Sequence, residues 1–127
     1  MQATVEYAGT RQQFEHPLGF FQAVKHPLVD VMILIDQCKS LVYNAACAFD
    51  MQPPRAAEFA HMAKASASEC AAFASSRSVQ YHGGIGFTWE NDTHMWFKRA
   101  KSSDVFLGSP PWHRYRMLQL IEVNHAK

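Results

Sequence analysis

The stretch LGFFQAVKHPLVDVMILIDQCKSLVYNAACAFD, from Leu18 to Asp50, decides the fold. Within it Phe21, Val24, Leu28, Val31, Ile35, Cys38, Val42, Ala45 and Phe49 recur at alternating spacings of three and four, so they share one stripe of a long helix. Val29, Met32, Ile33 and Leu34 widen the apolar surface beyond a narrow seam. A helix apolar on more than one side is expected to lie buried among several neighbours. Pro27 conflicts with the pattern, because it has no N–H and its ring crowds the preceding turn; a kink or a late helix start is expected there.

Asp50-Met51-Gln52-Pro53-Pro54 interrupts that helix, and Pro54 suits the first turn of the next. From Arg55 to Tyr81 the chain is rich in alanine, and Phe59, Met62, Ser66, Cys70 and Phe73 keep helical spacing. So many small residues imply close helix-to-helix approach. His82-Gly83-Gly84-Ile85-Gly86 supplies the stop, since glycine takes the positive φ that a helix end needs. Asn91 or Asp92 can cap a shorter helix reaching about Lys101, and Ser109-Pro110-Pro111 opens a last one running towards Asn124. Ala3 to Gln12 reads as the end of a further helix whose beginning would lie upstream of Met1. There is no strand-like alternation of useful length, no repeat and no low-complexity tract. The expected fold class is all-α, an antiparallel four-helix bundle, with residues 1–127 forming a single helical-bundle domain.

Composition narrows the function. The chain has 127 residues, 48% hydrophobic and 18% charged, with a formal net charge of +1. That length supports one core, and the balanced charge gives no electrostatic case for nucleic acid or a membrane surface. No apolar run approaches the roughly 20 residues that span a bilayer, and the first residues do not form a signal peptide. Cys38, Cys47 and Cys70 are odd in number and sit in helical patterns, so they read as small core residues in a reducing, cytoplasmic setting. His61, His82 and His94 lack metal-ligand spacing, and no metal is expected. Trp89, Trp96, Phe97, Trp112 and Tyr115 near Arg99, Arg114 and Arg116 read as core and subunit-interface packing rather than a base-stacking surface.

Two segments go beyond a generic bundle. Arg11-Gln12-Gln13-Phe14, followed by a short loop ending in Phe21-Gln22 at a helix start, resembles the Arg-x-x-Phe pattern of the acyl-CoA dehydrogenase family. Gln80-Tyr81-His82-Gly83-Gly84-Ile85-Gly86-Phe87-Thr88-Trp89-Glu90 resembles that family's Gln-x-x-Gly-Gly-x-Gly-Phe motif, in wording close to actinobacterial-type members. Each motif alone is weak. Together, in this order and at this spacing, they are specific, and Lys98-Arg99-Ala100-Lys101 also fits. The resemblance covers the whole chain but only the last third of a typical member; the family's N-terminal helical domain and middle β-domain are absent.

The resemblance implies half of a shared FAD site, part of it reaching a neighbouring subunit, in an enzyme that dehydrogenates acyl-CoA thioesters. It places Arg11 at the FAD pyrophosphate, where a guanidinium can donate paired hydrogen bonds to phosphate oxygens. Phe14 and Gln22 would flank the same portion of the cofactor. Gln80, Gly83 and Gly84 would meet the adenosine and pyrophosphate end, and Ser109 matches a family Thr or Ser that contacts the nucleotide. Without the family, the same residues read as a solvated arginine, a core phenylalanine, a helix stop and a helix cap.

One position departs from the pattern. Many members carry a glutamate that removes the α-proton of the thioester, in a Tyr-Glu-Gly-Thr-like motif; here the stretch is Phe106-Leu107-Gly108-Ser109, and leucine cannot accept a proton. Glu6, Glu90 and Asp104 do not fall on a catalytic family position. The base therefore lies upstream, or on the other subunit type of a heteromeric dehydrogenase, or is missing from a degenerate domain. Two functional readings follow: a flavoprotein component that completes an FAD site in a homo- or hetero-oligomer and is inactive alone, or a non-catalytic helical interaction module.

Overall fold

The computed structural model describes residues 1–51 and 54–125. Its helices are α1 (Gln2–Thr10), α2 (Gln22–Asp50), α3 (Ala56–His82), α4 (Thr93–Val105) and α5 (Pro110–His125). Between α1 and α2 lie two-residue strands β1 (Gln12–Gln13) and β2 (His16–Pro17), paired antiparallel, and a 3-10 turn over Leu18–Phe20. A second 3-10 turn, Gly83–Phe87, joins α3 to α4. The all-α expectation holds, with a small hairpin that no alternation announced.

The helix α3 is the centre of the arrangement: α2, α4 and α5 each pack against it. Its alanines and serines explain why. Ala63, Ala65, Ser68 and Cys70 are all buried, and their short side chains let neighbouring backbones come close. Lys64 of α3 reaches the Ser103 carbonyl near the end of α4 at 3.0 Å, whereas His61 of α3 meets His113 in the first turns of α5.

The helix α2 departs from expectation. Val24 and Val31 are buried as the periodicity requires, but Val42 is 49% and Phe49 76% exposed, and Ala48 is buried instead. Val29, Met32 and Ile33 are exposed as well. Among the described residues, α3 and the Leu18–Phe20 turn are the elements that cover α2 substantially, and much of its apolar surface is left exposed. The helix starts at Gln22, ahead of Pro27, so the proline does not delay it. Pro54 sits in the turn before α3 rather than in its first turn, and Pro53 lies outside the described residues.

The termini follow local chemistry. Gly83 ends α3 with φ +62°. At α4 the side chain that acts is Asn91, whose Oδ1 accepts the Thr93 N–H at 2.8 Å; Asp92 makes no side-chain cap. The helix runs to Val105, four residues beyond the expected end. Of the cysteines, Cys70 is buried but Cys47 is exposed, which corrects the expectation of three core residues. No helix is long and apolar enough to cross a membrane among the described residues, and none of them form a three-ligand His, Cys, Asp or Glu cluster.

Two outcomes follow. Val31 has no exposed surface, so Val31→Ala should lower unfolding free energy by about 2 kcal/mol in chemical denaturation. Burial, then the neighbouring Cys38 thiol, push the Cys70 thiol up to about 11. A thiol reagent at mildly alkaline pH should therefore modify Cys47 first and Cys70 last, as read by peptide mass spectrometry. Faster labelling of Cys70 would contradict the packing described.

Candidate functional site

The ends of α1 and α3 are tied together, and that tie assembles the first cluster of candidate residues. The hydroxyl of buried Thr4 is hydrogen-bonded to that of half-buried Ser78, and the Tyr7 ring stacks on His82 with centroids 4.4 Å apart. His82 is itself fixed, since its Nδ1–H donates to the Ser78 carbonyl at 2.8 Å. One turn beyond Tyr7 the Arg11 N–H donates to the Tyr7 carbonyl at 2.8 Å. Arg11 is thereby carried to the same end of the bundle as Gly83 and Gly84, which follow His82 directly. In the sequence His82 reads as part of a helix stop, of the Gly-Gly motif and of a histidine set without metal-ligand spacing; none of these readings finds its role as the anchor of α1.

From Arg11 the chain makes its hairpin and returns, closed by the Leu18 N–H donating to the Arg11 carbonyl at 2.7 Å. Phe14 and Glu15 form the tip with φ +51° and +65°. Two adjacent non-glycine residues in the left-handed region are strained, and a two-residue hairpin with both φ values positive normally selects Asn-Gly. Phe14-Glu15 therefore carries no turn signal. The Phe14 ring is 78% exposed and meets only the edge of Phe21, 6.2 Å between centroids. Phe14 is not the core phenylalanine of the generic reading. Gln22, next to Phe21, opens α2 on this same end and is exposed.

Arg11, Phe14, Gln22, Gln80, Gly83 and Gly84 are all exposed. No described side chain bonds the Arg11 guanidinium. Gly83 is required by its positive φ, but Gly84 is not: its φ is ordinary and a Cβ added there meets nothing within 4 Å. The fold would accept a side chain at Gly84.

Ser109 stands elsewhere. Its carbonyl accepts the His113 N–H at 3.0 Å, and His113 contacts His61 near the start of α3. From His61 to Gly83 along α3 is about 33 Å at roughly 1.5 Å per residue. The seven candidates thus divide into six at one end of α3 and Ser109 near the other. Beside Ser109, Leu107 has φ +63° and is 73% exposed, with no carboxylate at its position. A cavity of about 1280 Å³ lies at neither of these places. It is a groove between α2, α3 and α4, floored by Cys70, Ala71 and Ala74, walled by Ile35 and Trp96, and opening at Met1.

The family model for the acyl-CoA dehydrogenase C-terminal domain matches residues 1–119. The chain is 43% identical over 110 residues to the acyl-CoA dehydrogenase IpdE2 of Mycobacterium tuberculosis, covering 87% of this chain and 33% of that protein. Among solved structures, a variant of the Tcur3481-Tcur3483 steroid ACAD superposes with TM-score 0.94 at 32% identity, covering 99% of this chain and 35% of that one. The ChsE4-ChsE5 complex of M. tuberculosis gives TM-score 0.90 at 30% identity, over 95% of this chain and 33% of that one. The chain therefore spans about a third of the length of the relatives it matches. Fold, motifs and similarity agree: the chain belongs to the acyl-CoA dehydrogenase family, as its C-terminal domain.

Proposed function

We propose that this chain completes FAD sites at the subunit interface of an acyl-CoA dehydrogenase, with the cluster at one end of α3 and the Ser109 turn serving different subunits. The observation that carries the reading is the convergence of two motifs some sixty residues apart on one exposed end of the bundle, with open space over Gly84. Arg11 would neutralise the pyrophosphate from a position where no carboxylate competes for it. Gln22 and Gln80 would supply amide donors and acceptors, and Phe14 an apolar face held outward by a strained hairpin tip. FAD, when bound, accepts the β-hydride of the acyl-CoA thioester.

The α-proton needs a base, and Leu107 cannot be one. We assign that group to another subunit or to a longer polypeptide containing this domain, so the chain alone is inactive. A two-component relative, the ChsE4-ChsE5 complex, supports the heteromeric version. The uncovered apolar surface of α2 supports an oligomer in either case, because contiguous patches of this kind mark association sites. Free cysteines accord with a cytoplasmic setting. The second reading, a helical interaction module without flavin, rests on Leu107 and on the same surface.

Replacing Arg11 by Ala should weaken FAD retention in the assembled protein, read as visible absorption after desalting. Gly84→Ala should do the same while changing folding stability by less than about 0.5 kcal/mol, since its Cβ meets no protein atom. Retention equal to the parent protein in both variants would favour the module. Ile33→Asp, on the exposed face of α2, should shift light-scattering mass towards the monomer without loss of helicity. An unshifted mass would remove that face from the interface.

A further inference from the structure

Near the start of α3 two imidazoles face each other. His61 Nδ1 and His113 Nδ1 are 2.8 Å apart, with ring centroids 5.0 Å apart. Such a contact needs one proton between the nitrogens: one ring donates and the other accepts. His113 is 7% exposed, and its other nitrogen, Nε2, is buried with no hydrogen-bond partner. That nitrogen is aimed at Gly108. A Cβ built on Gly108 would stand 3.1 Å from Nε2 and 2.6 Å from Cε3 of Trp112. Gly108 holds φ +114°, and the His113 N–H donates to the Ser109 carbonyl. His113 thus lies beside the Leu107–Ser109 turn with its ring, is bonded to that turn through its backbone N–H, and meets His61 through Nδ1.

We propose that His113, fixed by His61, is the positioning residue of the Gly108–Ser109 turn, and that the pair releases the turn when it takes up a second extra proton. The functional half of this inference rests on the reading that Ser109 meets the nucleotide. The pair keeps its hydrogen bond when neutral and when it carries one extra proton, because a proton remains between the two Nδ1 atoms in both states. With both rings charged, two N–H groups and two positive charges face each other, and the contact breaks.

The surroundings favour that behaviour. Burial, His113 and the Arg116 guanidinium on α5 all hold the His61 proton affinity below the ordinary imidazole value. Glu58, one turn earlier on α3, is bound by Arg55. Of the other charges on these helices, Lys64 is engaged by Ser68 and the Ser103 carbonyl, Lys101 lies over the Phe97 ring, and Glu69 pairs with Arg114. The turn from Val105 to Ser109 carries no ionisable side chain. Since folded His61 resists protonation, its contribution to the closed arrangement is present above the unfolded imidazole value and is lost as pH falls below it.

The test is a pH titration of the full chain, labelled with 15N, between about pH 8 and 5. The amide signals of Leu107, Gly108 and Ser109 should move together in one step on the acid side, while Gly84 stays still. His61→Gln keeps a hydrogen-bonding group beside His113 but cannot titrate in this range, and should abolish the step. A wild-type titration without the step, or a step that survives in His61→Gln, would overturn the proposal. Imidazole 15N spectra of the unmodified chain provide a check that needs no variant. One of the two rings should be protonated at Nδ1 at neutral pH, and two rings both protonated only at Nε2 would equally sink it. FAD retention of the assembled flavoprotein across the same range separates the two claims. Release that follows the step supports both, whereas a step without release removes Ser109 from the nucleotide site and leaves the pair in place.

Discussion

The short side chains along α3 allow α2, α4 and α5 to approach one helix together, and every other feature depends on that contact. A bulky residue at Ala63 or Ala65 would hold a neighbour off by the width of its side chain, and helices packed at the density of a protein interior cannot absorb that. The same economy of size limits what the chain can bury. Its buried apolar residues are alanines, valines and a cysteine, and the large side chains lie mostly at half-exposed or exposed positions. Much of the driving force for folding comes from burying large apolar groups, so this domain draws less of it from its own interior than a self-sufficient bundle would. That is the physical counterpart of a chain spanning a third of its relatives' length.

The length of α3 sets the second constraint. It separates the end that carries Arg11, Gln80 and Gly84 from the turn that carries Leu107 and Ser109 by about 33 Å. A rigid helix holds the two ends at fixed distance, so residues that the motifs assign to one cofactor stand at two separate places.

Both ends are held by histidines, in different ways. At the end of α3, His82 spends its Nδ1–H on the Ser78 carbonyl and its ring face on Tyr7, so it is fully engaged in docking α1. At the start, His113 shares a proton with His61 and leaves Nε2 without a partner against Gly108. A buried polar atom without a partner raises the free energy of the state that contains it.

By itself the sequence determined the helices and their order. Periodicity fixed α2, Gly83 fixed the end of α3, and Ser109-Pro110-Pro111 fixed the start of α5, because each rests on backbone chemistry that acts within a few residues. The motif residues were legible for the same reason, as local patterns of type and spacing. Tertiary structure decided the rest. It turned Phe14 outward on a hairpin whose left-handed tip no glycine or asparagine announced. It left the second half of the α2 stripe uncovered, since burial depends on which neighbours are present rather than on period. It also brought together His61 and His113, fifty-two residues apart, through the packing of α5 on α3. No spacing rule acts over such a distance, because the contact exists only once two helices have docked.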